Sequence, residues 1–173
     1  MAARKISQSG SSQPSRRKRV LIVDGHSIIF AWPELRQLHE ENTASAREAL
    51  MQWLTQYQDA SDYKVVLVFD GRGARAASEK APQGIQVFYS DANRTADDLV
   101  ERLVAKYAEV YDITVATRDN LERQTVVSLG AFCIDADQLQ DRMDAGRRDV
   151  RRHISKLNNR NRRWNRPGKN WPG

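Results

Sequence analysis

One cysteine, Cys133, is the entire thiol content of this 173-residue chain. That excludes an internal disulfide framework and a cysteine-based zinc site, and it fits a reducing compartment. Its setting, Ala131-Phe132-Cys133-Ile134, reads as a buried strand, so the thiol is expected to be an inert core group. No stretch approaches the roughly 20 apolar residues that a membrane helix needs. The first 19 residues contain no acid and no apolar h-region, so they do not read as a secretory signal. Cytoplasmic residence is expected, with organellar import as the minor alternative for an Arg- and Ser-bearing, acid-free leader. The length suits one domain with a real core and excludes two large ones.

Charge is present in quantity and is unevenly placed. The net +6 conceals +6 in residues 1–19 and +9 in residues 147–173, where ten bases face only Asp149; residues 20–146 therefore carry −9. An acidic body with basic ends is the expected charge plan of a metal site flanked by segments that grip nucleic acid. The carboxy-terminal segment offers Arg147, Arg148, Arg151, Arg152, Arg160, Arg162 and Arg163, with Trp164 and Trp171 interleaved for stacking on unpaired bases. A merely solubilising role for these ends is the simpler alternative.

Residues 1–18 form a basic tail, Ser/Gln/Gly-rich and expected to be disordered. From Arg19 strands and helices alternate through about residue 146. Strand one ends at Asp24, and a loop or short helical turn through Ile28, Ile29 and Trp32 reaches Pro33. A helix is predicted over about Thr43–Tyr57, with Ser45 and Glu48 spaced as a capping box. Strand two ends at Asp70, and the small, polar segment from Gly71 to Gly84 is expected to be mobile. Strand three is Ile85–Tyr89. Thr95 opens a helix to Ala108, strand four leads toward Asp119, and a helix over Leu121–Leu129 stops at Gly130. Strand five is Phe132–Ile134, and Asp135 with Gln138 caps a last helix running to about Leu157. The remaining fifteen or so residues are expected to be disordered without a partner. This alternation predicts a three-layer α/β/α sandwich around a mainly parallel sheet.

Three aspartates follow short apolar, β-rich runs: Asp24 after Val20–Val23, Asp70 after Val65–Phe69, and Asp119 just past Ile113–Ala116. Such runs are fully buried parallel strands, and ligands bind beyond the carboxyl ends of those strands. Three carboxylates gathered at one edge repel unless a cation sits among them. Asp97 and Asp98 open the helix after Thr95. Adjacent helical residues point about 100° apart, so one of the pair faces the site. Leu99 and Val100 face the core, which selects Asp97 and leaves Asp98 in a supporting place. On their own, these two residues would simply answer the helix dipole.

Asp24-Gly25-His26-Ser27-Ile28-Ile29, with Ala31-Trp32-Pro33-Glu34-Leu35 after it, is similar to the opening of the YacP-like NYN-domain proteins. Val68-Phe69-Asp70, Thr95-Ala96-Asp97, Val115-Ala116-Thr117-Arg118-Asp119 and Leu121-Glu122 continue the match in order over roughly residues 19–143. The resemblance implies a PIN-like fold and an endoribonuclease dependent on Mg²⁺ or Mn²⁺. In some members it also implies work in association with the ribosome. Carried over by position, it implicates Asp24, Asp70, Asp97 and Asp119 as catalytic, metal-holding residues. The family's usual Tyr and Asn are His26 and Ser27 here, and Arg118 replaces the small residue before the last aspartate. Ser27 keeps an oxygen able to orient Asp24 or a water. Arg118 either competes for the carboxylates or holds a scissile phosphate. The chemistry needs no histidine or lysine base, because a divalent ion acidifies its own water.

A haloacid-dehalogenase-like phosphatase would need an aspartate where His26 stands. A receiver-type phosphoacceptor would need a lysine that is absent between Asp119 and Asp149. The competing reading from another class is a non-catalytic RNA- or ribosome-binding protein with a vestigial acidic edge. No membrane partner is expected, and oligomeric state is left open.

Overall fold

Four consecutive residues of the first strand, Leu21 to Asp24, are buried, as a central strand covered on both faces requires. The computed structural model describes residues 17–73, 77–80, 84–91 and 93–164. Chain order is β1 (Arg19–Asp24), α1 (Gly25–Ala31), α2 (Pro33–Glu41), α3 (Thr43–Asp59), β2 (Tyr63–Gly73), β3 (Ala77–Lys80), β4 (Gln86–Asp91), α4 (Ala96–Tyr107), β5 (Asp112–Ala116), α5 (Asn120–Ser128), β6 (Phe132–Ile134) and α6 (Ala136–Trp164). The sheet order is β3-β4-β2-β1-β5-β6. β4, β2, β1, β5 and β6 run parallel, and β3 joins β4 antiparallel.

The period of two in the strands splits the core into two layers. Leu21, Val23, Leu67 and Phe69 pack toward α1, α2, α3 and the start of α6, through Ile28, Ile29, Leu35, Leu50, Leu54 and Leu139. Ile22, Val68 and Val115 point the other way, onto Ala96, Val100 and Val104 of α4 and Val126 of α5. The result is the expected three-layer α/β/α sandwich. From β1 the chain builds outward through β2 and β4, then returns to place β5 on the other side of β1. That reversal opens a crevice beyond the carboxyl ends of β1 and β5.

Several elements differ from the sequence expectation, each for a local reason. Pro33 does not merely end a loop; it is the first residue of α2, where its fixed φ suits a helix and its missing N–H costs nothing. Asn42 caps α3, accepting from Ala44 N at 2.9 Å and Ser45 N at 3.2 Å, in place of the Ser45–Glu48 pair. Within the segment expected to be mobile, β2 continues to Gly73 and Ala77–Lys80 pairs with β4; its polar composition gave no strand period to read. Positions 74–76 and 81–83 of that segment lie outside the described residues. Helix α6 continues to Trp164, beyond Leu157, because its arginines favour a helix and no glycine or proline lies between Arg147 and Trp164 to break it. The expected amino-terminal tail, through residue 16, lies outside the described residues, as does Trp171. Gly130, at φ +96°, ends α5 where predicted. Cys133 is half-buried on an edge strand whose neighbour Phe132 is exposed, so its thiol is less enclosed than expected.

Gly25, the first residue of α1, allows the close approach that brings Asp24 and α1 onto the sheet. A Cβ there would run into the ring of Phe69, which is fully buried and stacked on Tyr89. Gly25→Ala should therefore destabilise by about 1–3 kcal/mol, the usual cost of overpacking. Urea unfolding checks this as a lower midpoint at unchanged slope; an unchanged midpoint would show that Phe69 moves aside freely.

Candidate functional site

Asp24 closes β1 and also caps α1, its Oδ1 accepting from Ser27 N at 3.3 Å. Asp119 performs the same task for α5, accepting from Leu121 N at 2.7 Å and Glu122 N at 3.2 Å. At α4 the cap is Thr95. Its hydroxyl accepts from Asp98 N at 3.2 Å, and Asp98 Oδ2 accepts from Thr95 N at 3.2 Å. Asp98 is thus committed to an exposed capping box, and the neighbouring Asp97 is half-buried at the sheet edge. Asp70 ties β2 to the same helix start, its Oδ1 accepting from Ala96 N at 2.6 Å. Three helix N-termini therefore meet carboxylates at one edge of the sheet.

The tightest grouping there is Asp24, Asp97 and Glu122. One carboxylate oxygen from each lies within 4.8 Å of the others. Glu122 is 2% exposed and both its oxygens lack a hydrogen-bond partner of good geometry, though the Thr117 hydroxyl is close enough to favour the charged form. Burial pushes Asp24 up to about 6, against the opposing hydrogen bond from Ser27 N; Asp97 and Asp70 push it further. Glu122 is pushed up to about 8, first by burial and then by Asp24, Asp97 and Asp119. Asp97 is raised by burial and by Asp119 and Asp70. No lysine or arginine is among the leading influences on any of the three. Three carboxyl groups, two buried and one half-buried, with an oxygen of each close to the others and no cation to balance them, are the donor set of a hard divalent ion, and the residues fit one.

Of the residues chosen from sequence, Asp24 and Asp97 are in this grouping. Asp70 and Asp119 stand beside it, adding negative field while their oxygens hold the starts of α4 and α5. Glu122 was not among the candidates. Its position, three residues after a helix cap, is where an acid usually answers the dipole at the surface. The readable sign was its spacing of four from Val126, which places it on the buried face of α5.

Ser27 acts through its backbone on Asp24 and through its hydroxyl elsewhere. Its Oγ accepts from Arg118 N at 2.6 Å and lies 3.4 Å from Thr117 Oγ1, which in turn accepts from Asp119 N at 3.1 Å. The hydroxyl thereby fastens α1 to the turn that carries Asp119. Arg118 does not neutralise the carboxylates. Its guanidinium donates to Phe30 O at 3.4 Å and lines a polar cavity of about 500 Å³ with Asn120 and Arg123. His26 lies 3.5 Å from Asp70 Oδ2 and 3.5 Å from Arg47 Nη2, and burial with Arg47 lowers its pKa, so the ring is neutral at pH 7.

Farther away, Arg147, Arg148, Arg151, Arg152 and Arg160 are exposed along α6. Arg147 and Arg152 have acidic neighbours on the same helix, Asp144 at 3.7 Å and Asp149 at 3.9 Å. Arg162, Arg163 and Trp164 are the closing residues of that helix. Among the described residues no helix is long and apolar enough to cross a membrane.

Residues 21–170 match the model of the YacP-like NYN domain. The chain is 29% identical over 140 residues to the YacP protein of Bacillus subtilis (strain 168), covering 80% of this chain and 82% of that one. Among solved structures it is similar to the crystal structure of Rae1 (YacP) from Bacillus subtilis, with TM-score 0.67, 28% identity and coverage of 82% and 83%. A Trp→Leu variant of that protein gives TM-score 0.68 at 29% identity, covering 80% and 82%.

The raised carboxyl groups make stability depend on pH. Unfolded carboxyls titrate near pH 4, whereas Asp24 titrates at about 6 and Glu122 at about 8 in the fold. Between those limits the folded state holds more protons than the unfolded one, so stability falls as pH rises. In chelator, the urea midpoint should drop between about pH 5 and about pH 8. Glu122→Gln should soften that drop, and Mn²⁺ should reverse it for the wild type. A flat profile in chelator would contradict this electrostatic description.

Proposed function

The chain belongs to the YacP-like NYN domain family, and from that membership and its acidic triad we propose that it is a divalent-metal-dependent endoribonuclease. NYN domains are usually nucleases. The observation that carries the reading is the buried carboxylate group of Asp24, Asp97 and Glu122, aimed beyond the crevice where ligands bind in such sheets. Asp24, Asp97 and Glu122 would hold the ion, with Asp70 and Asp119 adding field beside them. An all-oxygen donor set favours Mg²⁺ or Mn²⁺. When bound, such an ion supplies charge for a phosphoryl oxygen and acidifies a water for attack on phosphorus.

The protein's own residues supply the rest. Asp24 and Asp119 are immobilised as helix caps, so the carboxylates are pre-placed and lose little freedom during the reaction. Ser27 locks the two elements that carry them. Arg118 and Arg123 line the cavity beside Asp119, which Asp135 and Asp137 also line, and in this reading the two guanidinium groups take a substrate phosphate that flanks the cleaved one. The arginines of α6 and the basic ends supply attraction to the RNA backbone, which the body at −9 cannot provide. Cleavage on the ribosome is part of the same reading, since the basic helix suits a surface rich in RNA.

The test is incubation of single-stranded RNA with Mn²⁺, with and without ribosomes, using wild type and single variants. Asp24→Asn, Asp97→Asn and Glu122→Gln should each reduce cleavage by orders of magnitude while the fold persists. Asp98→Asn, which keeps an oxygen to accept from Thr95 N in a surface capping box, should keep most of the activity. Equal loss from Asp97→Asn and Asp98→Asn would overturn the assignment within α4. RNA that is bound but left intact by the wild type in every arm would favour a non-catalytic binding protein.

A further inference from the structure

Phe30 lies in the last turn of the helix that Asp24 caps, yet its ring is 46% exposed. A lone exposed phenylalanine is ordinary, but this one is built into a set. His39 of α2 meets it edge-on with ring centroids 4.9 Å apart, and His26, one turn earlier on α1, lies nearly parallel to it at 6.4 Å. His26 in turn reaches Asp70 at 3.5 Å, so the rings run outward from the carboxylate edge. The Phe30 carbonyl receives the Arg118 guanidinium, which faces the cavity beside Asp119. Phe30 also lines a second cavity of about 360 Å³ with Arg36, Gln37 and Glu40, where Arg36 Nε lies 3.6 Å from Glu40 Oε1, so the cavity offers both donors and acceptors.

An open aromatic face, held from behind, is the feature on which proteins stack unpaired bases. We propose that Phe30 is the stacking platform for one unpaired base of the RNA substrate, next to the cleaved phosphodiester, with Arg36 and Gln37 at that base's edge. This inference rests on the endoribonuclease reading above and adds a base subsite to it. Phe30 is tied both to Arg118 and to the carboxylate edge: its carbonyl accepts from the Arg118 guanidinium at 3.4 Å, and its ring neighbour His26 lies 3.5 Å from Asp70. A strand with a phosphate at Arg118 and its cleaved bond at Asp24 would run near its ring. Because the neighbouring rings fix the phenylalanine, little side-chain freedom is lost on stacking.

The experiment measures kcat and KM for the full chain with Mn²⁺ on a short single-stranded RNA, and on a series in which each nucleotide in turn is made abasic. Phe30→Ala and Phe30→Leu should lower kcat/KM roughly tenfold on intact RNA, the scale of one lost base stack. Phe30→Tyr should retain it. One abasic position should cost the wild type the same factor, and on that RNA the wild type and Phe30→Leu should be indistinguishable. Phe30→Leu keeps the apolar bulk, so it serves if Phe30→Ala melts early. Wild-type rates in both Phe30→Leu and Phe30→Tyr, or an equal Phe30→Leu deficit on every abasic RNA, would overturn the subsite while leaving the nuclease reading intact. A wild type that neither binds nor cleaves the RNA would overturn both.

Discussion

Desolvation of Asp24 and Glu122, buried at one sheet edge beside the half-buried Asp97, is the constraint to which the surrounding structure answers, and repulsion among the three adds to it. Burying one carboxylate is costly, and burying two, with an oxygen of a half-buried third within 4.8 Å of theirs, requires compensation. Part of it is hydrogen bonding at helix starts. α1, α4 and α5 all begin at this edge and present unsatisfied N–H groups to Asp24, Asp70 and Asp119. The remainder is protonation when no cation is present, which is why Asp24 and Glu122 titrate so high. A divalent ion would replace those protons, so one set of contacts supplies both the strain of the metal-free state and the affinity of the site.

The same arrangement explains why the rest of the chain is basic. An edge of carboxylates repels a polyanion until a metal occupies it, and the body as a whole carries −9. In the proposed reading, arginines on α6 and in the terminal segments would restore attraction at a distance from the carboxylates, and Arg118 and Arg123 would do so at their border. Separating the two signs in this way keeps arginine from competing for the carboxylates, which direct insertion of Arg118 among them would have caused.

Much of this plan was legible in the chain. β1, β5 and the start of α4 follow from apolar runs and from Thr95, and Asp24 and Asp97 follow from their positions at the ends of those elements. The split between Asp97 and Asp98 was readable because adjacent helical residues diverge and Thr95-x-x-Asp98 spells a capping box. Glu122 was hidden by the same logic that exposed Asp98, since an acid in the first turn of a helix is ordinarily a surface feature. Its companionship with Val126 on one face betrays its burial, and the Leu121-Glu122 pair was already part of the family match. α2 and β3 were missed because their positions bury little: Leu35 is the one fully buried residue of α2, and Ala77–Lys80 carries no strand period. Ser27 and Arg118 interact across a separation of 91 residues, a pairing that no local pattern announces.

The central claim is that Asp24, Asp97 and Glu122 together hold one divalent ion. Calorimetric titration of Mn²⁺ at about pH 7, in two buffers of different ionisation enthalpy, tests it most directly, because ligands must shed their protons to bind. Glu122, at about 8, is mostly protonated there when metal-free. The account predicts one strong site that releases close to one proton per ion, and in Glu122→Gln a weaker site with that release largely gone. Tight binding with no buffer dependence, or binding unaltered by Glu122→Gln, would place the ion elsewhere and contradict it.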